Sequence, residues 1–240
     1  RHRENYMVLL KYSIAVILTM AVSYLLGSLS FSIITTRKFH NNADIRTMGS
    51  GNAGLTNVVR SASKKAAALT LVGDFLKGVL AALFGKFMFM FLVDSSSNTF
   101  IVLQLGAFLA GICCLIGHVF PCFFKFRGGK GVLTASAIIL VIDFRVFIAV
   151  IAMFVIVLLC SKIVSLGSIC AAAFFPISNF LIVFFFDYLN CDASNKANIL
   201  NYIIISTILA TFIAAFVIYK HKSNIKRLKA GQEKRISFHK

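Results

Sequence analysis

Apolar runs long enough to cross a bilayer recur along this chain, and they restrict its fold more than any other feature. A run of 18 or more residues spans ~30 Å of hydrocarbon as an α-helix. In lipid every backbone polar group must find its partner within its own segment or in a closed barrel. These runs do not alternate polar with apolar residues, so a membrane barrel is excluded. The expected fold is therefore all-α: a polytopic integral membrane protein with about seven transmembrane helices. We place the spans at Val8–Ile34, Ala66–Val93, Thr99–Ile116, Val132–Ile142, Val146–Cys160, Leu166–Phe186 and Ile199–Tyr219. Asp143-Phe144-Arg145 splits one long run into the fourth and fifth spans, and the fourth is well under the usual ~20 residues. Gly27 and Ser28 are small residues against which a second helix can pack closely. Pro176 is a tolerated kink in span six, and Asp94–Asn98 is a short turn. The chain reads as a single transmembrane domain, with residues 1–6 as a leader ahead of a native start at Met7 and 220–240 as a basic tail.

Charge orients these spans. The net charge is +17, from 25 Lys+Arg against 8 Asp+Glu. In a soluble chain that balance would point to nucleic acid, but 59% of the residues are hydrophobic and the cations lie in loops beside spans. Most of them gather in Thr35–Lys65, in the loop after span three, in the turn at Lys162 and in the tail. The positive-inside rule puts those segments in the cytoplasm and the N-terminus outside, with anionic lipid or substrate as the partner and no nucleic acid. The six cysteines do not form a disulfide framework, since only Cys191 falls in a polar loop on the outer side. Cys113, Cys114, His118 and Cys122 match no zinc-finger spacing, so no metal is expected.

Three stretches on the cytoplasmic side carry chemistry. The first is Gly49-Ser50-Gly51-Asn52-Ala53-Gly54-Leu55-Thr56-Asn57-Val58-Val59-Arg60. Its glycines free the backbone to turn N–H groups towards an anion. Ser50, Asn52, Thr56 and Asn57 add neutral donors, and Arg60 can hold a phosphate by two parallel hydrogen bonds. The second is Gly117–Gly131, ending in Gly128-Gly129-Lys130-Gly131 before an apolar helix. A helix N-terminus with a Lys beside it suits a phosphate, although Val132 after Gly131 rules out a Walker A loop. The third is the tail from Tyr219 to Lys234, where His221, Asn224 and Leu228 fall on one face of a helix. Each has a plainer alternative: a polar connecting loop, a flexible basic turn, an amphipathic tail on anionic lipid. Asp74 and Lys77, three apart inside span two, form either a functional pair or a structural brace. His118 is either an interfacial packing residue or a catalytic one.

In order and spacing the three stretches resemble the motifs of the bacterial membrane acyl-phosphate:glycerol-3-phosphate acyltransferases, the PlsY family. Asp74-x-x-Lys77-Gly78 and Gly27-Ser28 are similar to that family too. The resemblance implies seven spans, a cytoplasmic active site in the cell membrane, and no cofactor. It implies transfer of a fatty acyl group from acyl phosphate to the 1-hydroxyl of glycerol 3-phosphate, giving lysophosphatidic acid and phosphate. Carried over by position, Ser50, Arg60, Lys130, His221 and Asn224 would be catalytic. Gly51, Asn52, Gly54, Thr56, Asn57, Gly128, Gly129 and Gly131 would line the phosphate sites, and Asp74, Lys77, His118 and Glu233 would support them. Leu55, Leu133 and Lys220 depart from the family pattern, and the two leucines would narrow an acyl groove. The rival from another class is a transporter for a phosphorylated anion, which would place its charges near the midplane on broken helices.

Overall fold

In the computed structural model, residues 2–92 and 98–236 are described, with side chains from residue 9 onward. All regular structure among them is helical. Among the described residues six stretches are long and apolar enough to cross a membrane: Leu9–Phe39, Lys64–Met90, Thr99–Phe124, Phe144–Ser161, Val164–Tyr188 and Ala193–Lys220. The seventh, Val132–Ile142, is helical and short, as expected. Of the turn expected at Asp94–Asn98, only Asn98 is described; its side chain accepts from Ile101 N and caps the next helix.

The chain packs as two units, one ending at Ile142 and the other beginning at Asp143. The first holds α1 (His2–Ser28), α2 (Phe31–Phe39), α3 (Leu55–Ser61), α4 (Lys64–Met90), α5 (Thr99–Val119) and α6 (Val132–Ile142). Span one was expected to be continuous, but it breaks at Leu29-Ser30 into α1 and α2. Hydropathy does not see the break, because the sequence on both sides is apolar. The carbonyls it exposes are met by Lys77 of α4, whose Nζ donates to Gly27 O at 3.0 Å and Leu29 O at 2.7 Å. A second lysine of the same helix, Lys86, donates to Val141 O at 2.7 Å, at the C-terminal end of α6. Such capping matters in lipid, where no water completes a helix end. At 11 residues, α6 rises only ~16 Å. Gly27 lets α1 close on α5, since a Cβ there would run into the Cys114 carbonyl.

The second unit holds α7 (Phe144–Ser161), α8 (Val164–Ile182), a wider π-helical turn over Val183–Tyr188, α9 (Lys196–Lys220) and α10 (Lys222–Lys229). Asp143 caps α7 by accepting from Arg145 N at 2.8 Å. The Arg145 guanidinium then ties Asp143 (2.6 Å) to Asp187 (2.7 Å) at the end of the π-helical turn. This is why Asp143-Phe144-Arg145 interrupts the long apolar run. Span six was expected to end at Phe186, and the turn carries it to Tyr188.

Candidate active site

The first basic stretch folds around one neutral side chain, Asn57. It is buried, and its Nδ2 donates to Ile45 O, Met48 O and Asn52 O at 3.0–3.1 Å while its Oδ1 accepts from Ser50 N at 3.0 Å. One amide thus sets the loop that carries Ser50. Gly49 (φ 54°) and Gly51 (φ 70°) take the left-handed conformation this loop requires. Ser50 and Arg60 are exposed, and Asn52 and Thr56 are half-buried. Below them Ile33, Ile45, Ala53, Val58 and Ala66 form an apolar cluster, against which Phe124 of the second stretch packs.

Besides this packing, Arg46, just before the first stretch, and Gly129 bring the two stretches together. Arg46 Nη1 donates to Phe124 O at 2.7 Å and to Arg127 O at 3.4 Å. Its other guanidinium nitrogens grip Asp44 at 3.0 and 2.7 Å. The Arg46 side-chain bond, more than any other influence, holds the Asp44 carboxyl well below the usual carboxylate range. At the second contact Gly129 lies against both Ala53 O and the His118 ring, so that a Cβ would overlap each. Gly128 lies equally close to His118 O.

These glycines differ from the sequence reading in one respect. Their N–H groups were expected to face an anion. Gly128 N instead donates to Val119 O (3.1 Å) and Gly129 N to His118 O (3.2 Å), closing the C-terminal end of α5. Gly51 N and Gly54 N are likewise bonded within the loop, to Met48 O and Asn52 O. Close approach and turn geometry, not these four amides' donors, account for the residues. Gly131 (φ 83°) follows Lys130 and leads into α6, whose first N–H groups have no partner within the helix.

Under this turn lies a buried charge cluster. His118 belongs to α5, not to a loop, and its ring separates Gly129 from Asp74. His118 Nδ1 stands 3.7 Å from Asp74 Oδ1, beyond hydrogen-bond reach. Lys77 Nζ is 2.8 Å from the same oxygen. The approach is off the hydrogen-bonding direction, so the pair is a charge contact. All three residues are at most 4% exposed. The succession Ala53, Gly129, His118, Asp74, Lys77, Gly27 therefore runs from the first loop to the broken end of α1.

The third stretch lies in the second unit. His221 stands between α9 and α10 as the cap of both, is buried, and its Nδ1 lies 2.8 Å from Val217 O. A carbonyl there requires a proton on Nδ1 and makes Nε2 the basic nitrogen of the neutral ring. Asn224 is buried and donates to Glu233 Oε1 at 2.7 Å. Glu233 also accepts from Arg227 Nε (2.6 Å) and from Ser165 Oγ of α8 (2.8 Å). Burial raises the Glu233 carboxyl, but the bonds from Arg227, Asn224 and Ser165 outweigh it and hold the group below its ordinary range. Ile236 N donates to Lys162 O at 2.7 Å, fixing the tail beyond Glu233.

Arg46, Ser165 and Arg227 were not singled out in the sequence. Only the Asp44-x-Arg46 spacing beside the first loop could have drawn attention to Arg46.

The geometry can now be set beside known proteins. The family model for glycerol-3-phosphate acyltransferase matches residues 17–231. A glycerol-3-phosphate acyltransferase of Clostridioides difficile (strain 630) is 39% identical over 220 residues, covering 92% of this chain and 95% of the relative. One from Paraburkholderia phymatum is 38% identical over 221 residues, with 92% of each chain covered. Among solved structures, the glycerol 3-phosphate form of PlsY (YgiH), an integral membrane glycerol 3-phosphate acyltransferase, superposes with a TM-score of 0.72. It shares 33% identity and covers 92% of this chain and 96% of its own. Its lysophosphatidic acid form gives a TM-score of 0.70 at 32% identity, over 92% and 95%. With a helical multi-pass membrane fold and a match over residues 17–231, this chain belongs to the PlsY family of glycerol-3-phosphate acyltransferases.

Proposed function

We propose that this enzyme takes a fatty acyl group from acyl phosphate and places it on the 1-hydroxyl of glycerol 3-phosphate. The products are lysophosphatidic acid and inorganic phosphate. The observation that carries this reading is the approach of Gly129, in the Gly128–Gly131 turn, to Ala53 of the Ser50–Arg60 loop, with Arg46 just before that loop strapping Phe124 and Arg127 just before the turn. Family membership supports glycerol 3-phosphate as the acceptor. We propose further that the whole chain is one acyltransferase domain of the plasma membrane with its site on the cytoplasmic face. The concentration of cations in the motif-bearing loops supports that orientation.

Both substrates carry phosphate, so like charges must be held near one another. Arg60 and Lys130 offset that repulsion, with Ser50 and Thr56 as neutral donors and the start of α6 as a further positive pole. Asn57, whose amide is engaged in its own loop, acts by positioning Ser50. His118, Asp74 and Lys77 support the turn from below. By resemblance His221 and Asn224 serve the glycerol phosphate, and Glu233 positions Asn224.

The acceptor oxygen attacks the acyl carbon, and the bond from that carbon to the phosphate oxygen breaks. The hydroxyl proton passes to an oxygen of the departing phosphate, so no side-chain base is required. Positioning and fixed charge supply the rate. Purified protein should convert acyl phosphate and labelled glycerol 3-phosphate to lysophosphatidate with one phosphate released per acyl transferred. Arg60→Ala and Lys130→Ala should lower turnover by ~10²-fold or more. Uptake of glycerol 3-phosphate into vesicles without lysophosphatidate would instead favour a transporter. Near-normal turnover at saturating substrate in His118→Ala and His221→Ala separately is the outcome expected for proton transfer to the substrate itself.

A further inference from the structure

The segment Pro121–Arg127 links α5 to the Gly128–Lys130 turn and divides its aromatic rings between two environments. Phe124 points inward, onto the apolar cluster under the first loop and beneath the Arg37 guanidinium, 5.9 Å from its ring centre. Phe123 and Phe126 point outward and are 56% and 59% exposed. Lys125, between them, and Arg127, after them, are exposed as well.

The backbone is bent to hold this division. Lys125 (φ 57°) and Phe126 (φ 55°) are both left-handed, which is uncommon for any side chain and costly for a bulky one. The bend is fixed from three directions. Phe124 N and Phe126 N both donate to Pro121 O, at 3.1 and 3.0 Å, and Arg127 N donates to Phe124 O at 3.3 Å. Arg46 takes Phe124 O and Arg127 O from the outside. A strained turn secured this well displays two bare rings and two cations where an apolar span, Thr99–Phe124, comes to its end.

The geometry points to Pro121–Arg127 as an aromatic wedge seated in the headgroup layer of an anionic bilayer, Phe123 and Phe126 in lipid and Lys125 and Arg127 on lipid phosphates. Aromatic rings collect at that depth because it offers apolar contact beside water. Cations there are attracted by anionic lipid. Phe126 is also only two residues from Gly128, so the wedge would fix how deep the following turn and Lys130 sit.

The chain contains no tryptophan, so a single replacement gives a unique fluorophore. Phe126→Trp and, separately, Phe123→Trp are reconstituted into vesicles of zwitterionic lipid containing a third phosphatidylglycerol, and excited where tyrosine does not absorb. Acyl chains brominated just below the headgroup should quench both tryptophans by about two-fold, as expected for rings at the interface. Bromines near the chain ends should quench them much less. Replacing phosphatidylglycerol by zwitterionic lipid should reduce the quenching. In Lys125→Gln/Arg127→Gln carrying the same tryptophan, that lipid dependence should disappear. Red-shifted emission that no brominated lipid quenches, at both positions, overturns the wedge. Quenching that is equal in anionic and zwitterionic bilayers overturns the role given to the two cations.

Discussion

The two units secure their candidate residues by different chemistry. In the first, the hub is an amide. Asn57 offers neutral donors and an acceptor to four backbone groups, and glycines let neighbouring segments touch directly. Its buried charges, Asp74 and Lys77, lie beneath the loops and face each other. In the second, the hub is a carboxylate. Glu233 gathers Asn224, Arg227 and Ser165 around one negative charge near the surface, with Arg227 41% exposed. An amide hub does not titrate, so it holds its loop alike at any pH. A carboxylate hub makes stronger bonds and gives them up in acid.

The comparison can be broken, beginning where the expected effect is largest. Lys77→Met should destabilise the protein by ~3–5 kcal/mol, because it leaves Asp74 charged and unpaired in the interior. Adding Asp74→Asn to it should recover much of the loss, read as a melting temperature in detergent. No recovery in the double variant would show that the cost lies in the exposed Gly27 and Leu29 carbonyls instead. Asn57→Ala comes next, at about 1–3 kcal/mol in all, because the loop it releases can turn most of the freed groups to water. It should also raise KM for glycerol 3-phosphate through the loosened Ser50 loop. Gly129→Ala should cost about 1–3 kcal/mol from overpacking against Ala53 O and His118. Its activity loss should exceed that of Gly231→Ala, a left-handed glycine where a Cβ would meet nothing.

Glu233→Gln should have the smallest effect at neutral pH, about 1 kcal/mol. Its signature is in acid. The folded pKa of Glu233 is depressed, so its stabilisation is complete above the unfolded value of about 4.3 and disappears as pH falls through the folded one. The melting temperature of the wild type should therefore drop between neutral pH and that acid range by more than the variant's does. Were Glu233→Gln to cost more at pH 7 than Asn57→Ala, the ranking of the two hubs would be reversed.

Much of this fold could be read from hydropathy, because burial in lipid demands long apolar helices. The break at Leu29-Ser30 could not, since the residues that allow it, Lys77 and its carbonyl partners, are far apart in sequence. His118 was expected at the end of a span and is the penultimate residue of α5; the helix itself runs past the expected Ile116 to Val119, with the His118 and Val119 carbonyls completed by Gly129 and Gly128. The three glycine-rich or basic stretches stood out by composition. What each residue in them does depended on contacts that a linear pattern does not contain. Gly-Gly suggests donors for an anion in sequence, yet its donors close α5 and its missing side chains make the join. Arg46 was hidden among other loop cations, because nothing local distinguishes a strap from a solvated charge.

The two lysines in the interior of α4, Lys77 and Lys86, have a consequence for biosynthesis. α4 carries Asp74, Lys77 and Lys86 into the bilayer, and a charged residue near the centre of a span costs roughly 2.5–3.5 kcal/mol on insertion scales. The carbonyl partners of Lys77, Gly27 in α1 and Leu29 just after it, emerge from the ribosome first; that of Lys86 belongs to α6, which emerges later. Membrane integration of α4 should therefore be more efficient behind α1 than alone, and α6 should settle only against an α4 already in place. Glycosylation-tagged truncations ending after α4, with and without α1, would measure that order of assembly.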